Sequence, residues 1–193
     1  MSGAEIALIA IGALAIVGVL LVNLAQRIDR LHRRVIASRA VLEAQLVRRA
    51  EAAGELARTN ALDPASTLII GEAAWNAAVQ APRLVSGTGD LAETGAERGL
   101  AESELTMNLR AALGDEEDVA ALRNDPTSAG AIEALEQASY RAQLARRFHN
   151  DAVVATRRLR QNPVVPLFRL AGRAAMPVTF EMDDEVFRGT PAG

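Results

Sequence analysis

Residues Ile6–Gln26 read IALIAIGALAIVGVLLVNLAQ, with no charged side chain, in a chain of 193 residues of which 23% are charged. A helix needs about 20 apolar residues to cross the hydrocarbon core of a bilayer. The stretch holds no proline, and its two glycines, Gly12 and Gly18, are of a kind that membrane helices tolerate. The run predicts a single transmembrane helix over 6–26, built on Ile6, Leu8, Ile11, Leu14, Ile16, Val19, Leu21 and Val22. Beyond Arg27 the pattern becomes one-sided, with Leu24, Ile28, Leu31, Val35, Leu42, Leu46, Ala53 and Leu56 on one stripe. This spacing of three and four is that of a coiled coil, so the membrane helix is expected to continue into the soluble part.

Charge gives the orientation. A secretory signal carries its basic residues before the apolar core, whereas here Met1–Glu5 precede it and Glu5 is acidic. The basic residues follow instead: Arg27, Arg30, Arg33, Arg34 and Arg39. The positive-inside rule then predicts an uncleaved signal anchor, with 1–5 outside and the rest cytoplasmic. Arg27, Arg30, Arg33 and Arg34 either fix this topology at the headgroups or bind anionic lipid specifically.

Composition narrows the function. Aromatic residues make up 3% of the chain and hydrophobic residues 50%, many of them alanine. That mixture suits closely packed helices better than a sheet. The absence of cysteine excludes disulfides and thiolate chemistry. A net charge of −3 gives no footprint for nucleic acid.

The first helix is expected to end near Thr59. Asp63 and Pro64 then have the preferences of a cap and a first helical residue. The second helix, carrying Leu68, Ile69 and Trp75, is expected to stop at Pro82, with a turn over Ser86–Gly89. Asp90 and Glu93 look like a capping pair for a third helix, whose stripe of Leu105, Leu109, Ala112 and Leu113 closes at Gly114. The acidic patch Asp115–Asp118 reads as a solvated helix start. A long fourth helix is expected from Asp125-Pro126 to Asn162-Pro163, on the stripe Ile132, Leu135, Ala138, Ala142, Ala145, Ala152 and Leu159. Residues 163–193 read as an extended tail with a short helical turn near Phe168–Arg173. The expected architecture is all-α, an antiparallel four-helix bundle over 27–162 whose first helix continues from the membrane.

Several segments resemble the LemA family of bacterial membrane proteins. Leu42–Arg49 (LEAQLVRR) is similar to the family's I-D-V-Q-L-K-R-R, and Ala145–Val153 (ARRFHNDAV) to its A-R-R-x-Y-N-D-A-V. Ala101–Leu109 (AESELTMNL) is similar to its E-N-E-L stretch, and Asn162-Pro163 before a Phe-containing tail matches its ending. The matching positions are Arg48, Arg49, Arg146, Arg147, Phe148, Asn150 and Asp151. The chain departs from the family at Ala50–Gly54, where a Leu-Ile-Pro step is usual, and over Asp63–Gly89. The resemblance implies a non-enzymatic scaffold in the bacterial cytoplasmic membrane, N-terminus out. Protein partners are implied, and self-assembly through small residues such as Gly12, Ala15 and Gly18 is the alternative.

The residues offer no catalytic constellation, no cofactor motif and no metal-ligand set, so no small-molecule substrate is expected. Neither His32, among arginines, nor His149 gathers ligands in sequence. His149 is expected to be a buried or half-buried group bonded to a neighbouring helix. Asn150 and Asp151 are unfavourable inside a helix. They read either as a polar network with Arg48 or Arg49 or as a partner-docking surface. The acidic stretch Glu181–Glu185, between Phe180 and Phe187, reads as a docking motif or an unstructured end.

Overall fold

A computed structural model describes residues 2–85, 91–114, 116–172 and 174–186. All regular structure among them is helical: α1 (Gly3–Arg58), α2 (Pro64–Val85), α3 (Leu91–Leu113), α4 (Glu116–Asn124), α5 (Ala129–Arg160) and α6 (Val164–Leu167). One helix among the described residues, α1, is long and apolar enough to cross a bilayer, and none of its apolar window is buried. Ile6, Leu8, Ile11, Leu14, Ile16, Val19 and Val22 are all more than half exposed, and Leu21 is half-buried.

The chain divides into two compact units, Met1–Ala37 with Asp151–Pro177, and Ser38–Asn150 with Val178–Gly193. The first unit buries Ile28, Ala152, Val153, Thr156 and Val165. Its α5 segment ends where Asn162 Oδ1 accepts the Val164 N–H at 3.0 Å, turning the chain into α6. Arg157 Nε then donates to the Pro177 carbonyl at 2.8 Å, and Arg160 to those of Ala174 and Ala175 at 2.8 and 2.7 Å.

The second unit is built on small and aliphatic side chains. Ala50, Ala53, Leu56 and Ala57 of α1 meet Ile70, Ala73, Ala74 and Ala77 of α2. Leu105, Leu109 and Leu113 of α3, Val119 and Leu122 of α4, Ile132 and Leu135 of α5, and Val186 complete this cluster. Alanines at this density let helix axes approach closely, where dispersion contacts accumulate. A second cluster joins Leu42 and Leu46 of α1, Ala142 and Ala145 of α5, and Phe180.

The caps follow local chemistry. Asp63 Oδ1 accepts the N–H groups of Ala65 and Ser66 at 2.9 and 3.1 Å, and α2 opens at Pro64. Gly114 closes α3 with φ +55°, a conformation costly to residues with a Cβ. The expected cap at Asp90 and Glu93 and the turn at Ser86–Gly89 lie outside the described residues and side chains.

Four boundaries differ from the sequence expectation. The second helix passes through Pro82 and ends at Val85, because a proline removes only its own donated bond and a final turn can absorb that loss. The patch Glu116–Asp118 opens α4, which is separate from the long α5. Asp125 precedes a proline and is steered away from helical backbone. Its carboxylate accepts the Thr127 N–H at 2.9 Å, and α5 starts only at Ala129. The short helix past Pro163 is α6, earlier than Phe168–Arg173.

Candidate functional site

In the second unit, the side chains of one face of α1 and one face of α3 form a buried ion network. Arg39, Glu43, Leu46 and Arg49 recur at three- and four-residue spacing on α1, and Arg98, Glu102 and Thr106 at four-residue spacing on α3. Arg49, Arg98 and Glu102 are at most 1% exposed. Arg49 Nη1 donates to Glu102 Oε2 at 2.9 Å and Nη2 to Thr106 Oγ1 at 2.5 Å. The Nη2 of Arg98 lies 2.8 Å from Glu102 Oε1, and Arg39 Nη2 lies 2.8 Å from Glu43 Oε1. Arg98 is close enough to attract both carboxylates but is not aligned to hydrogen-bond either. Burial raises the Glu102 carboxyl above its ordinary pKa, against the pull of Arg49 and Arg98. Glu43 is raised for the same first reason, against Arg39 and Arg98. Arg49, Arg98 and Glu102 are closed off from solvent, while Arg39 and Glu43 at the edge are half-buried. Their chemistry is the pinning of one helix to another.

An extended segment, Val178–Val186, lies over this network. The amide of Asn150 on α5 bonds both ways to Phe180, accepting its N–H at 2.9 Å and donating to its carbonyl at 3.1 Å. The Phe180 ring is 1% exposed, and the Arg39 guanidinium carbon sits 4.7 Å from its centroid. Ser103 Oγ accepts the Asp183 N–H at 2.9 Å, and Thr106 Oγ1 donates to the Asp183 carbonyl at 2.7 Å. Arg110 Nη2 spans both Asp183 carboxylate oxygens at 3.0 Å. On α5, Arg146 Nε holds Asp184 Oδ2 at 2.7 Å, and Gln143 donates to the Asp184 carbonyl at 2.6 Å. At Gly99 a Cβ would overlap the Glu181 carbonyl, so the absence of a side chain lets the segment cross α3 there.

The motif residues thus fall in different places. Arg49, Arg146 and Asn150 belong to this site, while Arg48, Arg147, Phe148 and Asp151 are exposed. The expected network between Arg48 or Arg49 and Asn150 or Asp151 does not form. Arg49 turns to α3, and the Asn150 amide is saturated by the Phe180 backbone. The acidic stretch is held as far as Val186, because the Asp183 and Asp184 carboxylates and the backbone around them are bound by α3 and α5; Phe187 lies outside the described residues. Arg27, Arg30, Arg33 and Arg34 are exposed, with Arg33 paired to Asp29.

His149 is buried, its Nδ1 3.1 Å from Ser38 Oγ on α1. Burial, helped by the nearby Arg39 charge, lowers its pKa to about 4. Among the described residues no group of three or more His, Asp or Glu is placed to hold a metal ion. The same unit carries an open groove of ≈ 690 Å³, whose lining includes Arg48, Gly54, Gly71, Ala74, Trp75 and Arg141. Trp75 is 70% exposed.

The sequence reading did not single out Glu43, Arg98, Glu102 or Thr106, and it named Phe180 only as a flank of the acidic stretch. A signal for three of them was present, since Arg98, Glu102 and Thr106 flank the buried Leu105 and Leu109 at helical spacing. No protein-family model, no curated protein and no solved structure matches the chain.

Proposed function

We propose that the chain is a non-enzymatic scaffold of the LemA type, anchored by one membrane span and presenting a cytoplasmic four-helix bundle to other membrane proteins. In this reading the bundle is antiparallel, the N-terminus lies outside and the membrane is the bacterial cytoplasmic one. The observation that carries it is the groove beside Trp75. A large aromatic 70% exposed, next to a floor that includes Gly54, Gly71 and Ala74, has the composition of an unfilled helix-docking site.

Affinity capture from crosslinked membranes tests the reading. Gly71 has open space around its Cβ position, so Gly71→Arg blocks the groove while leaving the helix intact. A defined membrane protein should be recovered with the unaltered chain and lost with Gly71→Arg or Trp75→Ala. Recovery of the chain itself, from all three forms, would instead favour self-assembly. For that alternative, the feature in favour is the three-residue spacing of Gly12, Ala15 and Gly18, small side chains that let membrane helices approach closely.

A further inference from the structure

We propose that α6 and the turn after it make a second contact with the membrane, in which Leu167 and Phe168 enter the interface of an anionic bilayer among surrounding arginines. This inference rests on the single-span reading of 6–26 and concerns only the first compact unit.

Position comes first. Arg160, near the end of α5, has its Nη1 3.4 Å from Nε2 of His32. His32 lies six residues past Gln26, about 9 Å along a helix axis at about 1.5 Å per residue. Ile28, two residues past Gln26, is only 2% exposed. A lone helix leaves its side chains open, so another segment must close over it. In this unit the only other segment is Asp151–Pro177. The end of α5 and α6 therefore sit at headgroup level when 6–26 spans the bilayer.

Surface chemistry comes second. Val165 is buried and anchors α6, while Leu167 is 75% exposed, Phe168 50% and Met176 46%. Such apolar tips at headgroup depth have a ready apolar phase, as interfacial elements do. Charge agrees with this placement. The first unit has nine arginines against three carboxylates, and the rest of the chain twelve arginines against twenty-one. A chain of net charge −3 has thus concentrated its positive charge in the unit that carries the span. Arg157 and Arg160 are engaged with carbonyls of 174–177, and Arg158 and Arg169 are exposed, as are Arg27, Arg30 and Arg34 of the same unit. Guanidinium groups at this density match phosphate headgroups of anionic lipid.

The test uses the full chain in vesicles containing bromine-tailed lipid, either neutral phosphatidylcholine alone or with phosphatidylglycerol. A Trp75→Phe background carries one reporter at a time, Phe168→Trp or Val19→Trp. The Phe168→Trp emission should fall at least twofold in the anionic vesicles and much less in the neutral ones, while Val19→Trp is quenched in both. Equal quenching of Phe168→Trp in both lipids overturns the anionic assignment. An unquenched Phe168→Trp beside a quenched Val19→Trp removes the second contact and leaves the anchor standing. If neither reporter is quenched, the span itself is wrong and the inference falls with it.

Discussion

Arg49 shows how a charged residue can sit at the centre of an alanine-rich core. Its guanidinium loses hydration on burial and recovers it through Glu102 and Thr106. Removing one partner of such a pair strands the other, so Arg49→Met should cost about 3–5 kcal/mol in chemical denaturation. Arg49→Met with Glu102→Leu should recover little of that loss, because Arg98 is then left buried with only Glu43 at 3.7 Å, and a double variant as stable as the unaltered chain would refute the account. His149 gives a pH prediction with a defined sign. Its folded pKa is about 4 against an ordinary 6.5, so protonation favours the unfolded chain. Its contribution is complete above about pH 6.5 and is lost as pH falls toward 4. The raised Glu43 and Glu102 act in the opposite sense, contributing at low pH and losing that contribution as pH rises. The difference in denaturation midpoint between the unaltered chain and His149→Gln isolates the histidine and should shrink over that window. Burial of His149 against a neighbouring helix was expected in the sequence, where no set of metal ligands accompanies it. The partner of Arg49 was not, because no local spacing encodes which face of α3 opposes which face of α1.

At the scale of the element, the helices were the legible part. Three-and-four spacing marked α1, α3 and α5, and Asp63-Pro64 marked the start of α2, since these signals act within one or two turns. Loss of that cap in Asp63→Ala should lower the midpoint of thermal or chemical unfolding, because the Ala65 and Ser66 N–H groups lose their acceptor. The breaks misread at Pro82 and Asp125 depended on how neighbouring bonds compensate, which composition does not record. The segment 178–186 was the hardest to read, because it forms no helix and its order comes from side chains of α1, α3 and α5. Gly99→Ala should improve the intrinsic propensity of α3. It should nevertheless expose 178–186 to limited proteolysis, because the added Cβ meets the Glu181 carbonyl. Cleavage at an unchanged rate would show that the segment can shift aside without loss.

For the whole molecule, truncation after Asn162 withdraws Phe180 and Val186 from the two apolar clusters and leaves Arg110 and Arg146 without their aspartates. The shortened chain should melt at a lower temperature with its helix content in circular dichroism largely retained, because α1–α5 keep their own backbone bonds. A coincident collapse of helix content would mean that the segment is needed for the bundle to form at all. The all-helical class was legible from composition and spacing. The division into two units was not, since it falls within α1 and α5, where the sequence has no break.

The side-chain grip on the extended segment also sets an order of events. The N–H of Phe180 is held by Asn150 and that of Asp183 by Ser103, a residue 80 positions away. Helical amides find their acceptors within a turn, whereas these two must wait until distant helices are in place. Latching is therefore the closing step of folding and the first to reverse. In native-state hydrogen exchange the two amides should trade their protons together, sooner than the α3 and α5 cores, at a rate set by the opening of the latch.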